Sequence, residues 1–102
     1  MAPQPLTDLE IAETLSGLPG WRAEDDHLVR SYTLAGHPAA VALLVHISVA
    51  QEELNHHAEL TLVYNRLGIA LNTHSVGGKI TELDAQLARR IEEIAAGHGV
   101  SG

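Results

Sequence analysis

Apolar positions recur along this chain with two different periods, and the changes between them lay out the secondary structure. Ile11, Leu15 and Leu18 follow one another at helical spacing. Ahead of them "TDLE", Thr7 to Glu10, pairs a hydroxyl with an acid three residues later, the pattern of a reciprocal helix cap, and Pro19-Gly20 stops the run. The spacing predicts a first helix over residues 8–17. Two short strands are expected at 21–24 and 27–34, joined by the acidic turn Glu24-Asp25-Asp26-His27. Gly36-His37-Pro38 opens a second helix over 38–54. Strands at 58–64 and 67–73 flank Asn65-Arg66, and the glycine-containing loop "THSVGGKI" leads to a second cap, "TELD", at Thr81 to Asp84. Leu83, Leu87, Ile91 and Ile94 then keep helical spacing as far as Gly97. The order α-β-β-α-β-β-α predicts an α+β two-layer domain, with a four-stranded antiparallel sheet covered by helices on one face. Residues 1–102 read as one domain with an ordered core at about 6–96, and residues 1–6 and 97–102 read as frayed ends.

The second helix departs from the amphipathic pattern. Val41, Leu43, Leu44, Val45, Ile47, Val49 and Leu54 spread over more than one face, whereas a surface helix shows a single apolar stripe. Cover on two sides is expected, by the helix's own sheet and by another subunit, so the chain is expected to form a dimer or tetramer through residues 38–54.

The last two strands bring candidate chemistry together. With Asn65-Arg66 as a two-residue hairpin loop, paired residue numbers sum to 131. Leu62 then faces Ile69 and Leu60 faces Leu71 on an apolar side, while Thr61–Ala70, Glu59–Asn72 and His57–His74 form a more polar side. His56 lies at the helix-to-strand junction, where strand alternation need not hold, and can reach the same rim. Three imidazoles at one end of the sheet suit proton transfer near neutrality. Surface histidines without a joint role, or three ligands of a zinc ion, are the other readings of His56, His57 and His74. Against zinc, there is no H-x-H or H-x-x-x-H pair and no cysteine. His27, His37, His46 and His98 stand apart in the sequence and receive no chemistry. Gly77-Gly78 before a helix start is a weak anion-site pattern.

Composition narrows the function classes. Of the 102 residues 45% are apolar, with no Phe and one Trp, so the core must be aliphatic. The net charge of −7 argues against binding to nucleic acid or an anionic membrane. The absence of cysteine removes disulfides and thiol catalysis and suits a cytoplasmic protein. The N-terminus shows no signal-peptide pattern, and the longest near-apolar run, residues 38–45, is too short to span a bilayer.

"EELNHHAELTLVYNRLGIALNTHSVGG" followed by "TELDAQLARRIEEIA" resembles the pterin-4a-carbinolamine dehydratases, and "L…LPGW" at Leu15–Trp21 extends the match towards the N-terminus. The resemblance implies a lyase that removes water from 4a-hydroxytetrahydrobiopterin to give quinonoid dihydropterin, in recycling of the tetrahydrobiopterin cofactor. It implies no metal and no organic cofactor, an α+β fold, and a tetramer built through the middle helix. His56, His57 and His74 match the histidines expected to serve as acid–base catalysts. Glu52, Glu59, Thr73, Ser75 and Asp84 are the expected substrate-binding residues around them. The sequence departs from the family pattern at Ala58, where proline is usual, at Leu60, where some relatives carry an aromatic, and in a Gly77–Thr81 segment one residue longer. The middle helix also lacks a common phenylalanine. Some relatives act instead as dimerisation or assembly factors, so a weak or inactive scaffold working through protein contacts is the alternative.

Overall fold

A computed structural model describes residues 3–101. Helix α1 spans Asp8–Ser16, α2 His37–Leu54 and α3 Glu82–Ala96, and strands β1 Arg22–Glu24, β2 His27–Thr33, β3 Glu59–Val63 and β4 Arg66–Leu71 form one sheet. Its order is β1-β2-β4-β3, and each neighbouring pair is antiparallel. The α+β architecture expected from the hydrophobic pattern is therefore present. The caps follow the predicted chemistry. Thr7 N–H donates to Glu10 Oε1 at 2.9 Å and Glu10 N–H donates to Thr7 Oγ1 at 3.1 Å. Between β1 and β2, Asp25 and Asp26 both take positive φ, 50° and 59°, as a two-residue turn of the primed type requires.

The two faces of the sheet divide as the alternation demands. Leu28, Tyr32, Leu67, Ile69 and Leu71 are buried, while Ser31 and Thr61 on the opposite side are exposed. Helix α2 packs on α3, β3 and β4, and α3 packs on α2 and β2. Glu92 of α3 binds this layer to the sheet, accepting from Trp21 Nε1 at 2.8 Å, from Arg30 Nε at 3.4 Å and from the Tyr32 hydroxyl. Burial, reinforced by Glu92, pushes the Tyr32 hydroxyl above its ordinary value, so it stays a hydrogen-bond donor.

Helix α2 shows the two-sided apolar character expected of it. Leu43 and Ile47 are fully buried, whereas Val45 and Val49 on the outer side are 54% and 51% exposed. Among the described residues no helix is long and apolar enough to cross a membrane.

Two expectations need correction. The described parts of both ends are held rather than frayed. Leu6 N–H donates to the Ile80 carbonyl at 2.8 Å, and Ser101 N–H donates to the Thr33 carbonyl at 2.8 Å; residues 1, 2 and 102 lie outside the described residues. The hairpin register is also two residues off. Pairing runs Val63↔Arg66, Leu62↔Leu67, Leu60↔Ile69 and Glu59↔Ala70, so Tyr64-Asn65 forms the loop, with Tyr64 at φ 51°. Contacts outside the hairpin account for the shift: Asn65 accepts from Leu34 N–H at 2.8 Å and donates its amide to the Leu34 carbonyl at 3.1 Å. A slip of two residues leaves every side chain on its original face, so alternation alone does not detect it.

Candidate functional site

The site forms where α2 hands the chain to β3. Helix α2 ends at Asn55, which turns the backbone through the left-handed region at φ 51° and ψ 44°. Gln51, buried one turn earlier, then clamps the junction. Its carbonyl accepts from His56 N–H at 3.0 Å, and its side-chain oxygen accepts from Ala58 N–H at 2.8 Å. A proline at position 58 has no such N–H. Here the histidine doublet is held by a hydrogen bond instead of by a fixed ring.

His56 points inward. Its Nε2 lies 2.6 Å from Asp84 Oδ1, with the imidazole 10% exposed and the carboxylate wholly buried. Asp84 Oδ2 accepts from Thr73 Oγ1 at 2.9 Å and from Thr81 N–H at 2.9 Å. Thr81 Oγ1 accepts from Leu83 N–H at 3.2 Å and lies 2.8 Å from Thr73 Oγ1. Because the Thr73 proton goes to Asp84, the Thr81 hydroxyl donates to Thr73. Every proton in this network thus runs towards Asp84, whose two oxygens only accept. His56 must then donate its Nε2 proton, which leaves Nδ1 of the uncharged ring as the free lone pair.

His57 points outward. Its Nε2 lies 2.6 Å from Glu52 Oε2, and both side chains are largely exposed. His74 opens a 3₁₀ turn, His74–Val76, and its carbonyl accepts from Gly77 N–H at 3.1 Å. All three histidines line one cleft of about 320 Å³, with Thr73, Ser75 and Leu83 among its walls. A second hollow of about 410 Å³ adjoins it, lined by His27 and Glu59 and sharing His57, Asn72 and His74 with the first. The site is therefore one two-lobed cleft at the end of the sheet.

The expected residues are brought together, but not in the expected geometry. His57 does not oppose His74: continued beyond β3 and β4, the observed register puts His57 across from Asn72. Glu52 reaches the site through His57, Ser75 lines the first lobe and Glu59 the second. Thr73 lines the cleft while bonding to Asp84. Asp84 has no exposed surface, so it holds His56 and does not itself meet a ligand. The histidines read as isolated are partnered. His37 Nδ1 lies 2.8 Å from the Tyr64 carbonyl, His46 Nδ1 lies 2.9 Å from His98 Nε2, and His27 is held inside the second lobe. His27 escaped the sequence reading because β2 pairs with β4 across 32 to 42 intervening residues of chain in the pairs Thr33↔Arg66 and Leu28↔Leu71, and no local pattern reports that. A shallow hollow on the open sheet face, beside Arg22, Glu24 and Ser31, contains no histidine.

The sequence profile described as pterin 4 alpha carbinolamine dehydratase matches residues 4–94. A Streptomyces avermitilis protein carrying the provisional name pterin-4-alpha-carbinolamine dehydratase is 52% identical over 101 residues, covering 99% of this chain and all of that one. A Streptomyces coelicolor protein with the same provisional name is 50% identical over 99 residues, covering 97% and 98% of the two chains. Among solved structures, a transcriptional coactivator/pterin dehydratase from Brucella melitensis superimposes with a TM-score of 0.85 at 35% identity, covering 90% of this chain and 99% of that one. A pterin dehydratase-like RuBisCO assembly factor of the alpha-carboxysome shares the fold, with a TM-score of 0.63 at 19% identity over 74% of this chain and 89% of that one.

Proposed function

We propose a function from one premise: the chain belongs to the pterin 4 alpha carbinolamine dehydratase family. It removes water from a 4a-hydroxytetrahydropterin to give the quinonoid dihydropterin, as a step in tetrahydrobiopterin recycling in the cytoplasm. The observation that carries this reading is the gathering of His56, His57 and His74 in one cleft, with His56 held from behind by buried Asp84.

The reaction needs two proton movements. The 4a-hydroxyl takes a proton as the C4a–O bond breaks and water leaves. The N5–H bond breaks, and its electrons form the C4a=N5 double bond. His56 suits the base, because Asp84 holds its Nε2 proton and keeps the Nδ1 lone pair available. The imidazolium formed on taking the proton stays bonded to the Asp84 carboxylate, which stabilises it. His74, whose ring has no side-chain partner among the described residues, and His57, which lines the same cleft, supply the proton to the departing oxygen. Thr73, Ser75 and Glu59 contribute polar groups for holding the pterin. Positioned acid–base groups of this kind contribute roughly 10²–10⁴-fold in rate. The exposed face of α2 joins copies of the chain into a dimer or tetramer.

The test is loss of the 4a-carbinolamine measured against its spontaneous rate. Wild type accelerates it and His57→Ala does so far less; pure wild type that gives no acceleration overturns the proposal. The outer face of α2, with exposed Val45, Val49 and Leu54, also suits a scaffold role through protein contacts. A stoichiometric partner retained by His56→Ala combined with His74→Ala, from a protein without dehydratase activity, supports that second reading.

A further inference from the structure

His27 and Asn72 form a polar pair that the dehydration scheme does not use, and the hydrogens of both residues can be placed. The Asp25 carbonyl, 2.7 Å from His27 Nδ1, can only accept, so His27 Nδ1 carries the proton. In the uncharged ring Nε2 is then an acceptor, and Asn72 Nδ2 lies 3.0 Å from it. The same amide nitrogen lies 3.1 Å from the Gly78 carbonyl, a second obligate acceptor. Both amide hydrogens of Asn72 are thus committed, one to β2 and one to the glycine loop. That sets the orientation of the amide. A flipped Asn72 would present its oxygen to two acceptors.

The atom left over is Asn72 Oδ1, which has no partner among the described residues. It is not a buried orphan, because no buried side-chain nitrogen or oxygen in the described residues lacks a hydrogen bond. Asn72 also lines both lobes of the cleft, between His57 and His74. The exposed oxygen thus belongs to a residue that lines both lobes together with His57 and His74.

We propose that Asn72 Oδ1 accepts a hydrogen bond from an N–H group of the bound pterin, and that His27 is the positioning residue that keeps this oxygen turned towards the substrate. The inference rests on the dehydratase reading and deepens it. A pterin, oxidised or reduced, carries N–H donors along its pyrimidine edge, and a fixed carbonyl acceptor is complementary to them. His27 acts only through Asn72, since its own ring nitrogens are both engaged.

The test uses the purified full chain, with biopterin as a stable binding probe and the 4a-carbinolamine as substrate. Loss of one hydrogen bond between neutral groups weakens binding by about 3- to 10-fold. Asn72→Ala and His27→Leu are each expected to bind biopterin that much more weakly, with the loss appearing in KM rather than kcat. The double variant is expected to bind no more weakly than Asn72→Ala alone, because His27 has no separate contact to lose. A purely structural role for His27 moves melting temperature and leaves probe affinity alone. If melting shows that either single variant is misfolded, Asn72→Leu, which also lacks the acceptor, and His27→Phe make the same comparison. Wild-type affinity in either single variant, or a double loss equal to the product of the two, overturns the proposal while the dehydratase reading stands. Wild type that neither binds biopterin nor accelerates dehydration overturns both.

Discussion

Asp84→Asn tests whether the buried carboxylate sets the proton on His56. Three donors converge on Asp84, namely His56 Nε2, the Thr73 hydroxyl and Thr81 N–H. A hydrogen bond to a charged group contributes roughly 1.5–3 kcal/mol, so truncation to alanine forfeits about 4–9 kcal/mol. That is comparable with the whole stability of a small domain, about 5–15 kcal/mol, and the alanine variant is expected to unfold. Asparagine is nearly isosteric. Its remaining oxygen can keep the Thr73 and Thr81 donors, which turns the amide nitrogen towards His56. Two donors cannot face each other, so His56 gives up its Nε2 proton and carries it on Nδ1 instead. The expected cost in stability is one charge-assisted bond, and Tm falls by roughly 10 °C. The expected cost in turnover is larger, because the free lone pair now faces away from the substrate. Turnover drops by about 10²–10⁴-fold, equivalent to roughly 3–5 kcal/mol of barrier. Stopped-flow loss of the 4a-carbinolamine measures the rate, circular dichroism checks folding, and ¹⁵N shifts of the His56 ring report which nitrogen is protonated. A folded Asp84→Asn protein with turnover within about threefold of wild type refutes the role given to Asp84. So does a His56 ring that keeps its proton on Nε2.

Three further outcomes follow from the geometry. Gly77 and Gly78 both take positive φ, 74° and 75°, but a Cβ at Gly77 meets nothing within 4 Å, whereas one at Gly78 meets Asn72 Nδ2 at 3.3 Å. Gly77→Ala is expected to cost about 1–2 kcal/mol in urea denaturation, and Gly78→Ala to cost more and also weaken biopterin binding; equal effects on binding would contradict the placement of Asn72. Glu52→Gln removes the carboxylate from an exposed pair with His57, so stability changes by less than about 1 kcal/mol while turnover falls, and a large drop in Tm with unchanged turnover would reverse that assignment. Val49→Asp puts a charge on the exposed side of α2, where Val49 is 51% exposed, and is expected to shift sedimentation towards monomer; an unchanged oligomer mass excludes this face as the subunit contact.

Much of the fold was legible because its causes are local. Capping pairs, turn residues and apolar periodicity act over a few residues, and they located all three helices and all four strands. The histidine doublet and the distant Thr73-His74 were legible for another reason, since together with their spacing they carry the family resemblance. The predicted pairing of His57 with His74 failed for a reason that can be named. A two-residue slip preserves the faces of a strand, and Leu34, far away in the chain, decides between the registers through its bonds with Asn65.

What the sequence determined by itself is the order of elements, the apolar side of each and the chemical types available to the site. What only the tertiary structure decided is how those types divide their work. Asp84 is part of a helix cap, and it becomes the partner of His56 only because α3 packs beside the end of α2. Ala58 departs from the usual proline, and its junction is held by Gln51 from the preceding helix. His27 enters the cleft only because β2 lies beside β4, where it engages Asn72. Hydrogen bonds depend on distance and direction between groups far apart in the chain, and those are properties of the packed layers, to which no local pattern of side chains has access.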